Sequence, residues 1–142
     1  MIIETLYYSD GYKAVVRCDC QCLTDIKPPD DIEGRFYSIS KDGMITAKEN
    51  YAYDFATGAM DTDTIKRASL FHDIVCQAIA EGKLDPMYQV NGDRLLRDLC
   101  LHDGMSRFRA WYVYRAVRAY QKNKKRTIFD AHPIQSVPRF NA

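Results

Sequence analysis

No apolar run in this 142-residue chain approaches the roughly 18 residues that a membrane-spanning helix needs, so no helical span is expected. A secretory signal is missing too: Met1-Ile2-Ile3-Glu4 carries an acid where such a leader carries bases, and the expectation is a chain made and kept in a cytoplasm. Cysteine is sparse and odd in number. Three of the five sit in Cys18-x-Cys20-x-Cys22 and there is no C-x-x-C pair, which excludes a secreted disulfide ladder and leaves free thiols as the default. The low-hydrophobicity, high-charge composition of disordered chains is also absent, since 46% of the residues are hydrophobic and the formal net charge is +1. There is no internal repeat, no helix-turn-helix pattern and no RNA-recognition signature.

What is present is the length and balance of one compact domain, residues 1–130, with 131–142 as an irregular tail holding two prolines. The small net charge conceals an asymmetry. Residues 1–106 hold 11 Lys and Arg against 18 Asp and Glu, whereas residues 107–142 hold 9 against 1. A basic segment of this density could meet phosphate, nucleic acid or the acidic body of its own chain. Its Arg107, Arg109, Arg115 and Arg118 are interleaved with Trp111, Tyr112, Tyr114 and Tyr120, a mixture common on helices with one packed and one solvated face.

The first half reads as strands. Ile2 to Tyr8 is followed by the turn signal Ser9-Asp10-Gly11 and then by Tyr12 to Cys22, in which apolar and polar residues alternate. Arg35 to Ile39, Lys41-Asp42-Gly43 and Met44 to Ala47 form a second hairpin, and Tyr51 to Phe55 a further strand. From residue 61 the period becomes helical. Asp61 or Asp63 caps a helix with Ile65, Ala68, Phe71, Val75, Ala78 and Ile79 on its apolar face, ending at Gly82. Asn91 or Asp93 starts a second, which stops at Gly104, and Ser106 caps a third that runs to about Tyr120. Strands followed by helices define an α+β fold, an antiparallel sheet with three α-helices packed on one face.

Each candidate for chemistry has a bland counterpart. Alternate strand residues stand about 6.6 Å apart, at twice the ~3.3 Å rise, too far for one tetrahedral ion, so Cys18, Cys20 and Cys22 read as core-facing. On the first helix, at about 100° per residue, His72 falls at the rim of the apolar face, with Cys76 and Ser69 beside it and Asp73 farther round, toward a strand or a neighbouring helix. A satisfied rim histidine is the alternative to a catalytic one, and Ser69, His72 and Cys76 also invite a nucleophile reading. Asp54 follows a strand end and reads alone as a turn former. Asp93 reads alone as a helix cap.

Taken in order, Asp54-Phe55-Ala56-Thr57, Arg67-Ala68-Ser69-Leu70-Phe71-His72-Asp73, Gly92-Asp93-Arg94-Leu95-Leu96 and Ala116-Val117-Arg118 resemble the motif series of a family widespread in tailed phages and prophages, a domain of unknown function. That series runs D-x-A-S, R-A-x-L-x-H-D-x-x-Y, A-D-x-x-F and a late A-V-R, and the resemblance covers roughly residues 50–120. The chain departs from it with Thr57 for Ser, Cys76 for Tyr and Leu96 for Phe. The H-D-x-x-Y string also looks like the helix of secreted phospholipases, but their disulfides and glycine-rich calcium loop have no counterpart here.

Two functional expectations follow. In the first, a phage-encoded hydrolase, Asp54, His72, Asp73 and Asp93 bind one divalent cation, with His72 and Asp73 activating water on an ester or amide. In the second, a noncatalytic phage accessory, the same residues form a buried polar network: His72 donates to a carboxylate, Asp93 caps its helix, and Asp54 ties its loop to Arg67 or Arg94. Its partners would be a phage structural protein or a host protein, met through the aromatic third helix in the host cytoplasm or on the virion. Nucleic-acid binding through residues 107–126 ranks last.

Overall fold

The structure is a computed structural model, and it describes residues 2–6, 8–9, 14–53 and 63–124. The sequence expectations for Asp54, Thr57 and the 131–142 tail therefore lie outside the described residues. The strands are β1 (Ile2–Ile3), β2 (Tyr8–Ser9), β3 (Ala14–Val16), β4 (Cys20–Leu23), β5 (Ile32–Glu33), β6 (Tyr37–Ile39), β7 (Met44–Ala47) and β8 (Ala52–Tyr53). The helices α1 (Asp63–Ala80), α2 (Gln89–His102) and α3 (Arg107–Lys124) follow, a 3₁₀ turn at Pro86–Tyr88 leading into α2. This is the α+β order the sequence predicts. No helix among the described residues is long and apolar enough to cross a membrane.

The strands form two antiparallel sheets, one ordered β1-β4-β7-β6-β5 and one ordered β2-β3-β8. Each of the two long strands expected at the N-terminus is thus divided between sheets. Ile2 and Ile3 pair with Leu23 and Cys22, whereas Tyr8 and Ser9 pair with Val16 and Val15. The break on the second strand is a bend at Arg17 and Cys18, where the Asp19 carboxylate accepts the Glu49 amide N–H at 2.8 Å. That bend interrupts the two-residue period, so Cys20 and Cys22 face the core as expected but Cys18 is exposed. The Lys41-Asp42-Gly43 turn forms as predicted. Gly43 has φ +97, and a Cβ there would stand 2.2 Å from the Thr24 carbonyl oxygen, so only glycine fits.

All six apolar positions predicted on α1 are buried, and Leu70 and Ile74 are buried as well, because α1 meets β7 and β8 on one side and α2 on the other. In turn α2 carries α3. Gly82, with φ +76, ends α1 as read, and the Ser106 hydroxyl accepts the Arg109 amide N–H at 3.2 Å as the cap of α3. The start of α2 differs from expectation. Asp85 caps the 3₁₀ turn by accepting from the Met87 amide at 2.8 Å, Pro86 follows as its first residue, and α2 runs on from Gln89. Asp93 is therefore an interior residue of α2, not its cap. Gly92 has a packing role: a Cβ there would stand 2.7 Å from Val75 Cγ1, so its missing side chain lets α2 close on α1 and brings Asp93 level with His72.

Candidate functional site

Three helices converge on Asp93, whose side chain has no exposure to solvent. Its Oδ1 lies 2.7 Å from His72 Nε2 of α1 and accepts from the Gln89 side-chain amide at 3.0 Å. Its Oδ2 accepts from Arg118 Nη1 of α3 at 2.6 Å. Helical spacing produces this: Gln89 and Asp93 are four apart on α2, His72 and Cys76 four apart on α1, and Arg118 and Gln121 three apart on α3. A carboxylate this buried would be costly if unpaired, and both its oxygens are paired.

The electrostatics follow from those contacts. Burial acts to raise the Asp93 pKa, but the hydrogen bond and charge of His72, with hydrogen bonds from Arg118 and Gln89, outweigh it and hold the carboxyl below its ordinary value. Burial acts to lower the His72 pKa, yet the neighbouring Cys76 sulfur and the Asp93 carboxylate raise it to about 10. His72 is thus the cationic partner at neutral pH, with 15% of its side chain still exposed.

Cys76 Sγ lies 3.9 Å from both ring nitrogens of His72 and accepts from the side-chain amides of Gln89 at 3.5 Å and Gln121 at 3.7 Å. Ser69, one helical turn before His72, is buried, and its hydroxyl has no hydrogen-bond partner among the described residues.

Asp73 points elsewhere, in the direction the helical wheel indicates. Its Oδ2 lies 2.8 Å from the Tyr51 hydroxyl, which also stands 2.8 Å from Gln77 Oε1. Gln77 donates to Glu81, and Glu81 accepts from the Tyr37 hydroxyl at 2.6 Å. Asp73 and Gln77 of α1, with Glu81 just past its end, thus make a polar rail facing the strands. Burial and the Asp73 charge push the Tyr51 hydroxyl well above its ordinary pKa. Arg67 clasps Asp103 through Nε at 3.0 Å and through Nη2, and donates from Nη1 to the Glu4 carbonyl at 2.9 Å. Arg94 is exposed.

Of the expected set, Asp54 lies outside the described residues, and of His72, Asp73 and Asp93 it is His72 and Asp93 that pair directly. Among the described residues no three His, Cys, Asp or Glu side chains form a group able to hold a metal ion. Where a divalent cation would have to meet Asp93, the Arg118 guanidinium already supplies the positive charge. Sequence reasoning gave no role to three members of the cluster. Arg118 stood in the late Ala116-Val117-Arg118 motif, and Gln89 follows the Asp85-Pro86 start signal, which could have placed it one turn before Asp93. Gln121 had no signal.

Around the rest of α3 the surface is aromatic and basic. Phe108 is 72% exposed, Trp111 53%, Tyr112 63% and Tyr120 55%. The Phe108 and Trp111 rings lie 6.0 Å apart, and the Arg115 guanidinium stands 5.8 Å from the Trp111 centroid. Comparison of the chain with family models, curated proteins and solved structures gives no match, so the phage-family resemblance rests on its motifs alone.

Proposed function

We propose that this chain is a noncatalytic binding protein in which the His72–Asp93–Arg118 cluster fixes α3 in place and α3 docks an acidic surface of another protein. The carrying observation is that Asp93, without solvent exposure, has both oxygens taken by protein groups, one of them an arginine of α3. Such a carboxylate is spent on structure and has no lone pair pointed at a substrate. What it anchors is a helix of 18 residues with four arginines, two lysines and no acid. Phe108, Trp111 and Tyr112 lie at positions i, i+3 and i+4 and form one apolar patch rimmed by arginine, the composition that marks interface centres. A single helical face supplies no groove to track a phosphate backbone, which favours protein over single-stranded nucleic acid. The motif resemblance is the ground for seeking the partner among phage structural proteins and host proteins.

Trp111 is the chain's single tryptophan and lies on the patch, so its emission reports docking directly. Titration with poly-L-glutamate should shift that emission to the blue, weaken as salt rises, and fail in a Tyr112→Ser, Arg109→Ser variant. A response confined to an oligonucleotide would move the reading to nucleic acid. No response to either probe would overturn it.

A further inference from the structure

The polar cluster around Asp93 also holds a nucleophile, Cys76. Cys76 is half-buried, its sulfur 3.9 Å from both ring nitrogens of His72, and His72 Nε2 is held by Asp93 at 2.7 Å. Thiol, imidazole and carboxylate thus adjoin one another, the set from which a base activates a nucleophile and a third group orients the base. Such contacts are commonly long before a reactant arrives. The sulfur also faces two side-chain amide donors, Gln89 and Gln121, placed to stabilise negative charge on it. A separate observation marks an unmet hydrogen bond on the same helix face. Ser69 is 8% exposed, lies three residues before His72 and seven before Cys76, and so shares their stripe of α1, yet its hydroxyl has no hydrogen-bond partner among the described residues.

We propose that Cys76 is a covalent modification site for a small disulfide, with His72 as its proton carrier and Asp93 as the group that positions His72. In the reacting form His72 is an imidazolium, its Nε2–H donating to Asp93 and its Nδ1–H carrying the proton given up by the Cys76 thiol. The thiolate attacks one sulfur of the incoming disulfide, whose S–S bond breaks as the Cys76 S–S bond forms. The released thiolate takes the proton from Nδ1 and leaves as a thiol. The Cys76 sulfur is oxidised and the departing sulfur reduced, so the exchange balances with the disulfide as the sole co-reactant. The proposal does not depend on what α3 docks.

The other cysteines provide the control: Cys18 is exposed, and Cys20, Cys22 and Cys100 are buried. Folded protein is treated with glutathione disulfide, quenched in acid and mapped by peptide mass spectrometry over time. The mixed disulfide should form at Cys76 roughly tenfold faster than at Cys18, despite the lower exposure of Cys76. His72→Gln should bring the two rates together, and Gln121→Leu, which removes a donor to sulfur without touching Asp93, should slow Cys76 several-fold. Repeating the reaction in urea should abolish the preference. A wild-type protein modified first at Cys18, or a Cys76 rate unchanged by Gln121→Leu, overturns the proposal even if His72→Gln fails to fold.

Discussion

Replacing Asp93 by asparagine separates the structural network from a ligand site by the sign of its effect. The substitution keeps the volume and removes the charge. Asp93 accepts three hydrogen bonds, and two of them, from His72 at 2.7 Å and Arg118 at 2.6 Å, come from cationic donors. Charge-assisted bonds of this kind contribute about 1.5–3 kcal/mol each, and breaking a buried pair costs about 3–5 kcal/mol when the survivor stays desolvated. Neither survivor is sealed in here. The side chains of His72 and Arg118 are 15% and 26% exposed, so each recovers part of its hydration. The expected loss is therefore about 2–4 kcal/mol, with asparagine still able to accept one of the bonds.

Urea unfolding at neutral pH, followed by far-ultraviolet circular dichroism, measures it. For a chain of this length about 3 °C accompanies each kcal/mol, so the melting temperature should fall by roughly 6–12 °C. Arg118→Met should cost less, because Asp93 keeps His72 and Gln89. The double variant should cost less than the sum of the two singles, since the second substitution removes a partner already lost. A site built to hold a cation behaves in the opposite way: when empty its acids repel, and removing one relieves strain. A gain in stability on Asp93→Asn, or a loss under about 1 kcal/mol with strictly additive singles, would refute the network.

Two further outcomes follow from the same cluster. His72 is raised from 6.5 to about 10 in the fold, so its stabilising contribution is complete below about pH 6.5 and is lost as pH rises through about 10. Asp93 is lowered from 3.8, so its contribution is present above that value and is lost as pH falls through its folded value. Urea midpoints should thus form a plateau between these limits, and His72→Gln should flatten the alkaline arm; an unchanged alkaline arm would count against the imidazolium. Thermal unfolding of chelator-treated protein titrated with Zn²⁺, Mn²⁺, Ca²⁺ and Mg²⁺ should show no shift. A bound cation at a hundred times its dissociation constant would add about 2.7 kcal/mol, and such a rise lost in His72→Ala would restore the hydrolase reading.

The helices were the most legible part of the chain because their signals are local. The apolar stripe of α1, the positive-φ glycine after it and the Ser106 cap each depend on a few neighbouring residues. The strands were legible in kind but not in extent. Period two runs unbroken in sequence from Ala14 to Cys22, and contacts far along the chain, the Glu49 amide on Asp19 and the Asn50 amide on the Val16 carbonyl, hold the bend that turns Cys18 outward and carries the chain from one sheet to the other. No local pattern encodes that. Asp93 shows the same limit at a functional position. An Asn-Gly-Asp string reads as a helix start, whereas here the glycine exists so that Val75 can approach and the aspartate is drawn into the core.

The three helices meet at this cluster for a reason that also explains its unusual composition. α3 has no acid of its own and carries most of its aromatics outward, so little apolar area beyond Ala110, Val113 and Val117 holds it to the body. A helix that weakly buried needs a specific tie, and Arg118 on Asp93 supplies one: guanidinium to carboxylate fixes both the register and the rotation of α3. The cost of burying Asp93 is offset because His72, on a different helix, is made cationic by the same carboxylate and by the Cys76 sulfur beside it. One acid thereby serves two bases on two helices. Replacing either base by a neutral residue takes one positive charge away from beside a half-buried thiol, which makes Cys76 the natural place to read out any loosening of α3.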